Sequence, residues 1–214
     1  MLRLTLALIL LATPAWPEDK PNLDPTAAAT PGAVALYLSA NALYALGTAA
    51  DDPLVILTAA KMLRGVALIA ADRNPDPAPE TVSALTQPDP AAMLATARAL
   101  NVDSGLTDLI NATAAETPPQ PKSLRATAAQ LKPGQSQVWT LQFYGGTYAE
   151  LAILGAGQGN LDLSVTDAKG NPICLDNGNA GTAYCGFVPR DNGDFAVTVI
   201  NSGQSPDTYQ LITN

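Results

Sequence analysis

The stretch Leu161-Asp162-Leu163-Ser164-Val165-Thr166-Asp167-Ala168-Lys169-Gly170-Asn171 decides how the second half of this chain folds. Successive side chains of a strand point to opposite faces, so Leu161, Leu163 and Val165 share one side while Asp162, Ser164 and Thr166 share the other. Such alternation reads as a half-buried strand. Residues 137–143 alternate too, with Trp139, Leu141 and Phe143 on the side expected to be buried and Val138, Thr140 and Gln142 opposite. Further short strands are expected at 151–154, 183–188, 195–200 and 209–213, separated by turns rich in Gly, Asn and Asp. With no helix signal between them, these strands indicate an antiparallel β-sandwich.

Upstream the composition changes. Thr117-Pro118-Pro119-Gln120-Pro121 reads as a stiff linker, because each proline fixes its own backbone angle and restricts the residue before it. Before it lies an alanine-rich segment with helix punctuation. Pro31-Gly32 opens a helix to about residue 50, and Asp52-Pro53 opens a second to about residue 72. A proline-rich loop covers 74–90, Asp89-Pro90 opens a third helix to residue 100, and Asp103 or Ser104 caps a fourth ending near 115. Asp before Pro is an effective start, since the carboxylate accepts a free N–H and proline has none to lose. Residues 52–63 align without a gap on 89–100, a period of 37 that suggests either paired helical repeats or two alanine-rich helices sharing one capping grammar. The expected layout is a leader at 1–15, an extended segment at 16–30, a small all-α domain of about four helices at 31–116, a linker at 117–122 and the sandwich at 123–214.

The chain has 214 residues, 47% hydrophobic and 14% charged, with 11 basic and 19 acidic side chains and no histidine. Lacking histidine, it has no Ser-His-Asp triad, no Cys-His dyad and no histidine-ligated zinc. The acidic balance and the lack of any basic run argue against nucleic acid as a partner. Arg3 followed by the apolar run 4–12 and the small residues Thr13-Pro14-Ala15 reads as a signal peptide, too short for the ~20 residues that span a bilayer. Residues 31–50 carry no charge, but Ser39, Asn41, Thr48 and the alanines make them a core helix rather than a span, so stable membrane insertion after leader removal is not expected. In an exported chain Cys174 and Cys185 are expected to form one disulfide, and their spacing is not the Cys-x-x-Cys of a redox pair.

The second half resembles the bacterial pre-peptidase C-terminal domains. The resemblance rests on Leu131-Lys132-Pro133-Gly134-Gln135, Trp139-Thr140-Leu141, Leu151-Ala152-Ile153, the 161–171 strand and turn, Gly193-Asp194-Phe195-Ala196-Val197-Thr198-Val199 and Tyr209-Gln210-Leu211. It implies a jelly-roll-like sandwich, usually appended to exported peptidases, that is not catalytic but assists secretion or folding or binds polymers, some members taking calcium. This chain departs from the pattern in carrying no peptidase.

Three chemistries remain to be weighed. Asp162, Asp167, Asp176, Asn177 and Asn179 could supply hard oxygen ligands to calcium, which takes about six to eight. The same Asp-Asn-Gly-Asn composition serves tight turns. Glu150 could pair with an aspartate for glycoside hydrolysis, but an edge or surface charge is the expectation; no Ser-x-x-Lys occurs. Trp139 should go to the core, whereas Tyr144 and Tyr148, flanking Gly145-Gly146, are the candidate ligand contacts. The reading is an exported, periplasmic or secreted, non-enzymatic protein whose sandwich binds an envelope or extracellular protein or polysaccharide. The alternatives are a calcium-stabilised structural sandwich carrying a helical interaction domain, and a small carboxylate-dependent hydrolase.

Overall fold

Asp-Pro pairs start two of the four helices as the sequence implies. The Asp52 carboxylate accepts from the N–H groups of Leu54 (2.9 Å) and Val55 (3.1 Å) to open α2 (Pro53–Leu63), and Asp89 accepts from Ala92 (2.7 Å) to open α3 (Pro90–Leu100). Asp103 caps α4 (Ser104–Ala115) through Gly105 and Leu106. Ahead of these, α1 (Ala33–Ala49) has Gly32 at its cap and no side chain of its own segment to satisfy its first N–H groups. The computed structural model describes residues 20–214 except 28–29, 80–84, 86, 118–119, 121 and 158. The expected leader and the linker prolines Pro118, Pro119 and Pro121 lie outside the described residues.

The second helix stops well short of residue 72. Residues after Gly65 form β1 (Val66–Ala70), which pairs in parallel with β2 (Lys122–Leu131), Val66 opposite Lys122 and Ala70 opposite Ala126. A short apolar run suits helix and strand equally, and here a sheet edge distant in sequence decides it. A helix is thus followed by a strand after Asp52-Pro53 and by another helix after Asp89-Pro90, so the 37-residue period does not mark two copies of one structural unit.

The remaining strands are β3 (Ser136–Phe143), β4 (Ala149–Gly155), β5 (Leu161–Asp167), β6 (Pro172–Asp176), β7 (Thr182–Phe187), β8 (Gly193–Asn201) and β9 (Asp207–Thr213). They form two sheets, β1-β2-β9-β4-β7 and β3-β8-β5-β6, antiparallel at every pairing except β1 with β2. The fold is therefore a helical N-terminal part followed by a β-sandwich, with one strand of the first part joined to the sandwich. Cys174 on β6 and Cys185 on β7 are disulfide-bonded, tying together edge strands of the two sheets.

Alternation places the core. Leu161, Leu163 and Val165 are fully buried between the sheets with Trp139, Leu151 and Ile153, and Phe143, Phe187 and Phe195 cluster with ring centroids 5.3–5.7 Å apart. The outer face of the five-stranded sheet carries the helices, where Val34, Ile56, Leu57 and Met93 share a second core with Leu124, Ala152 and Ile212. Among the described residues no helix is long and apolar enough to cross a membrane.

One polar chain crosses the inter-sheet core. Trp139 Nε1–H donates to Tyr209 Oη (3.0 Å), Tyr209 O–H donates to Gln137 Oε1 (2.8 Å), and Gln137 Nε2–H donates to the Pro77 carbonyl (3.1 Å). Tyr209→Phe keeps the ring but strips the indole N–H and the amide oxygen of their partner. Leaving such groups unsatisfied costs about 1–3 kcal/mol. The expected result is a lower urea midpoint with an unchanged slope; a midpoint equal to that of the parent protein would show the chain to be dispensable.

Candidate functional site

The odd-numbered residues of β2 face the sandwich interior, as Ala129 and Leu131 do. Arg125 has the same parity, yet its side chain is exposed, because it stands at the open margin where β3 leaves the second sheet for β4. There a groove of about 460 Å³ opens, within the size range of small-ligand sites. It is lined by Thr140 to Phe143 of β3, by Tyr144, Thr147 and Tyr148 of the β3–β4 turn, and by Arg73, Arg125, Thr213 and Asn214. Among the described residues no acidic side chain lines it.

Arg73 comes from the segment after β1 and is fixed by four neutral acceptors. Its Nε–H donates to Thr127 Oγ1 (3.0 Å) and Nη1–H to Thr213 Oγ1 (3.1 Å), while Nη2–H groups donate to the carbonyls of Leu211 (2.7 Å) and Arg125 (3.2 Å). Burial first, and then the neighbouring Arg125 charge, lower its pKa to about 10, which leaves it cationic at neutral pH. The Arg125 guanidinium has no hydrogen bond or ion pair among the described residues; the salt bridge found there is Arg64 with Glu116, far along the helical half.

Both candidate tyrosines line this groove, though in different states. Tyr144 is 65% exposed. The turn beside it is set by Gly146, whose φ of 71° is a left-handed conformation that favours glycine. Tyr148 is half-buried and its hydroxyl is engaged: it lies 2.9 Å from Tyr184 Oη, and Tyr184 O–H donates to Glu150 Oε1 (2.8 Å). Burial, the bond with Tyr148 and the bond to Glu150 push the Tyr184 phenol well above its ordinary pKa, so it remains a donor. Tyr148 therefore offers a ring edge rather than a free hydroxyl.

Glu150 is not a surface charge. It is 1% exposed, on the outer face of β4 beneath the start of α1. Its carboxylate accepts from the N–H groups of Gly32 (2.8 Å), Ala35 (3.3 Å) and Val34 (3.4 Å) besides the Tyr184 hydroxyl. It supplies the cap that α1 lacks locally, and Gly32 is needed because a Cβ there would collide with the carboxylate. The alternation Glu150, Ala152, Leu154 against Leu151, Ile153 was the signal; helices on the outer face turned that face into an interior.

The five candidate calcium ligands do not converge. Asp162 accepts from Ser202 Oγ, and Asp176 accepts from Tyr184 N–H (2.9 Å) and Gly178 N–H (3.4 Å). Asn177 and Asn179 are exposed in the loop that follows. Asp167 is at the opposite end of β5, about 17 Å along the strand from Asp162 at ~3.4 Å per residue. It is buried and closes a turn, accepting from Lys169 N–H, Asn171 N–H and Asn171 Nδ2–H, each at 2.9 Å, and from Asn22 N–H (2.9 Å). Burial opposes ionisation, but the bonds from Asn171, Asn22 and Lys169 hold this carboxyl below its ordinary pKa. The Asn22 contact also seats the chain around residue 22 on this end of the sandwich, with Asn22 and Asp191 exchanging two further bonds. Among the described residues no group of three or more Asp, Glu or Cys side chains could hold a metal ion.

Neither arginine of the groove stood out in the sequence. Arg125 shares its parity with Ser123 and Thr127, so β2 shows no apolar alternation against which a charge would stand out, and Arg73, in a loop, gave no signal either.

No family model matches the chain, and no curated protein sequence matches it. Among solved structures it is similar to the pre-peptidase C-terminal domain of a collagenase from Bacillus anthracis, 17% identical, covering 42% of this chain and 87% of that one with a TM-score of 0.35. It is also similar to PliG of Aeromonas hydrophila, a periplasmic inhibitor of g-type lysozyme (13% identical, 42% and 86% covered, TM-score 0.31). A third is a carbohydrate-binding module, TmCBM61, in complex with β-1,4-galactotriose (13% identical, 42% and 69% covered, TM-score 0.28). The first of these is the kind of module that the motifs of the second half resemble.

Proposed function

We propose that this is an exported, non-catalytic binding protein whose sandwich holds a polysaccharide of the cell envelope or extracellular space in the groove at the β3–β4 turn. The observation that carries the reading is the groove itself: an open trough of mixed lining, with the exposed Tyr144 ring and the polar side chains of Thr140, Gln142, Thr147 and Asn214. Sugar rings present apolar faces to an aromatic platform and hydroxyls to amides and alcohols, and this lining offers both. Export is supported by the leader-like residues 1–15 and by the Cys174–Cys185 disulfide, which suits an oxidising compartment. A non-catalytic role is supported by the lack of histidine and by Glu150, whose carboxylate is engaged beneath α1 and does not line the groove.

The test is co-sedimentation of the full-length protein with insoluble envelope polysaccharide. Because Tyr144 is exposed, Tyr144→Ala should leave the melting temperature within about 1 °C while weakening retention about tenfold, the typical scale for truncating an aromatic anchor. Retention equal to the parent protein would remove the groove as the binding site. Retention lost instead upon treating the extract with protease would point to a protein partner.

A further inference from the structure

The groove carries a charge pattern that a neutral sugar does not explain. In a chain with 19 acidic against 11 basic side chains, two guanidinium groups line one groove in which, among the described residues, there is no Asp or Glu side chain. Arg73 is clamped by neutral oxygens alone, so its position is fixed while its charge is uncompensated. Arg125 beside it has no hydrogen bond or ion pair among the described residues. Two like charges side by side in a groove raise the local positive potential and favour an anion that joins them. Four of the five Arg73 N–H groups are already engaged, so the planar fork that matches a carboxylate in two parallel hydrogen bonds is that of Arg125, with Arg73 adding its charge and one remaining N–H.

We propose that the occupant is an acidic polysaccharide, whose sugar carboxylate sits between Arg73 and Arg125 while its ring lies against Tyr144. This rests on the groove being the saccharide site proposed above and adds the chemical class of the ligand. An acidic polypeptide would satisfy the arginines equally. A single sugar-acid unit, however, carries a carboxylate, an apolar ring face and hydroxyls together, and so meets the arginines, the Tyr144 ring and the alcohols and amides of Thr140, Gln142, Thr147 and Asn214 at once. The chain's overall negative charge does not forbid a polyanion, because charges more than about 8 Å apart across solvent are largely screened at physiological salt.

The experiment is calorimetric titration of the full-length protein with polygalacturonate, alginate and hyaluronan, each paired with its methyl-esterified form, and with polyglutamate. At least one acidic polysaccharide should bind about tenfold or more tightly than its ester, with affinity falling as salt rises. Arg125→Gln should remove that preference without changing affinity for the ester, and Arg125→Lys should restore part of it. Equal affinity for acid and ester overturns the inference while leaving the saccharide groove in place. Failure of all three acids and their esters, together with envelope retention that Tyr144→Ala does not weaken, overturns both. Polyglutamate binding as tightly as the best polysaccharide overturns the inference in favour of an acidic protein.

Discussion

Residues 31–117 expressed without the sandwich are expected to show no cooperative unfolding transition and little helical circular dichroism. The reason lies in where their apolar side chains go. Val34, Ile56, Leu57 and Met93 close their core on Leu124, Ala152 and Ile212, which belong to β2, β4 and β9. α2 and α3 are 11 residues each and α4 is 12, at or under the lower end of the ~12–15 residues below which isolated helices are marginal in water. β1 would lose its partner, since all of its register is with β2. Arg73 would lose all four acceptors, which lie on residues 125–127 and 211–213. Residues 122–214 alone should keep the inter-sheet core but expose the face that the helices cover, and so self-associate. Mixing the two fragments should recover helical signal in proportion to complex formed. A sharp thermal transition in the isolated helical fragment would show instead that the shared core is incidental.

That dependence also explains which parts of the fold were legible. The sandwich strands follow a period of two, and a period of two is a property of the local sequence, so 161–166, 137–143 and 195–200 read correctly as strands. Helix starts read correctly for the same reason, since Asp52, Asp89 and Asp103 act on N–H groups two or three residues away. Errors came where a distant partner decides. Val66–Ala70 is an apolar run whose strand state is conferred by Lys122–Leu131, more than fifty residues later. Glu150 stands on an outward-facing position that the helices convert to an interior one. In the groove, Tyr144 and Tyr148 were legible from the glycine turn between them. The two arginines were not, because one comes from a loop whose course the sequence does not state and the other from β2, a strand whose polar and apolar residues do not alternate.

Glu150 is the position at which the joining of helices to sandwich can be measured with one substitution. Glu150→Ala removes a buried carboxylate that meets three N–H groups at the start of α1 and the hydroxyl of Tyr184. Hydrogen bonds to a charged acceptor contribute about 1.5–3 kcal/mol and an unsatisfied buried donor costs about 1–3, whereas a negative charge at a helix N-terminus adds up to about 2 in a partly buried site. These overlap rather than add, because two of the three N–H contacts, at 3.3 and 3.4 Å, are long and water can enter the truncated site. The expected loss is about 3 kcal/mol, or about 6–12 °C in melting temperature for a chain of this size. Glu150→Gln keeps the volume and one carbonyl oxygen but not the charge, and its amide N–H groups face donors, so it should lose about half as much. Tyr184→Phe, which leaves the helix cap intact, should lose less than either. A destabilisation by Glu150→Ala no larger than that of Tyr184→Phe would mean that α1 is held by its apolar face alone and that the carboxylate does not cap it.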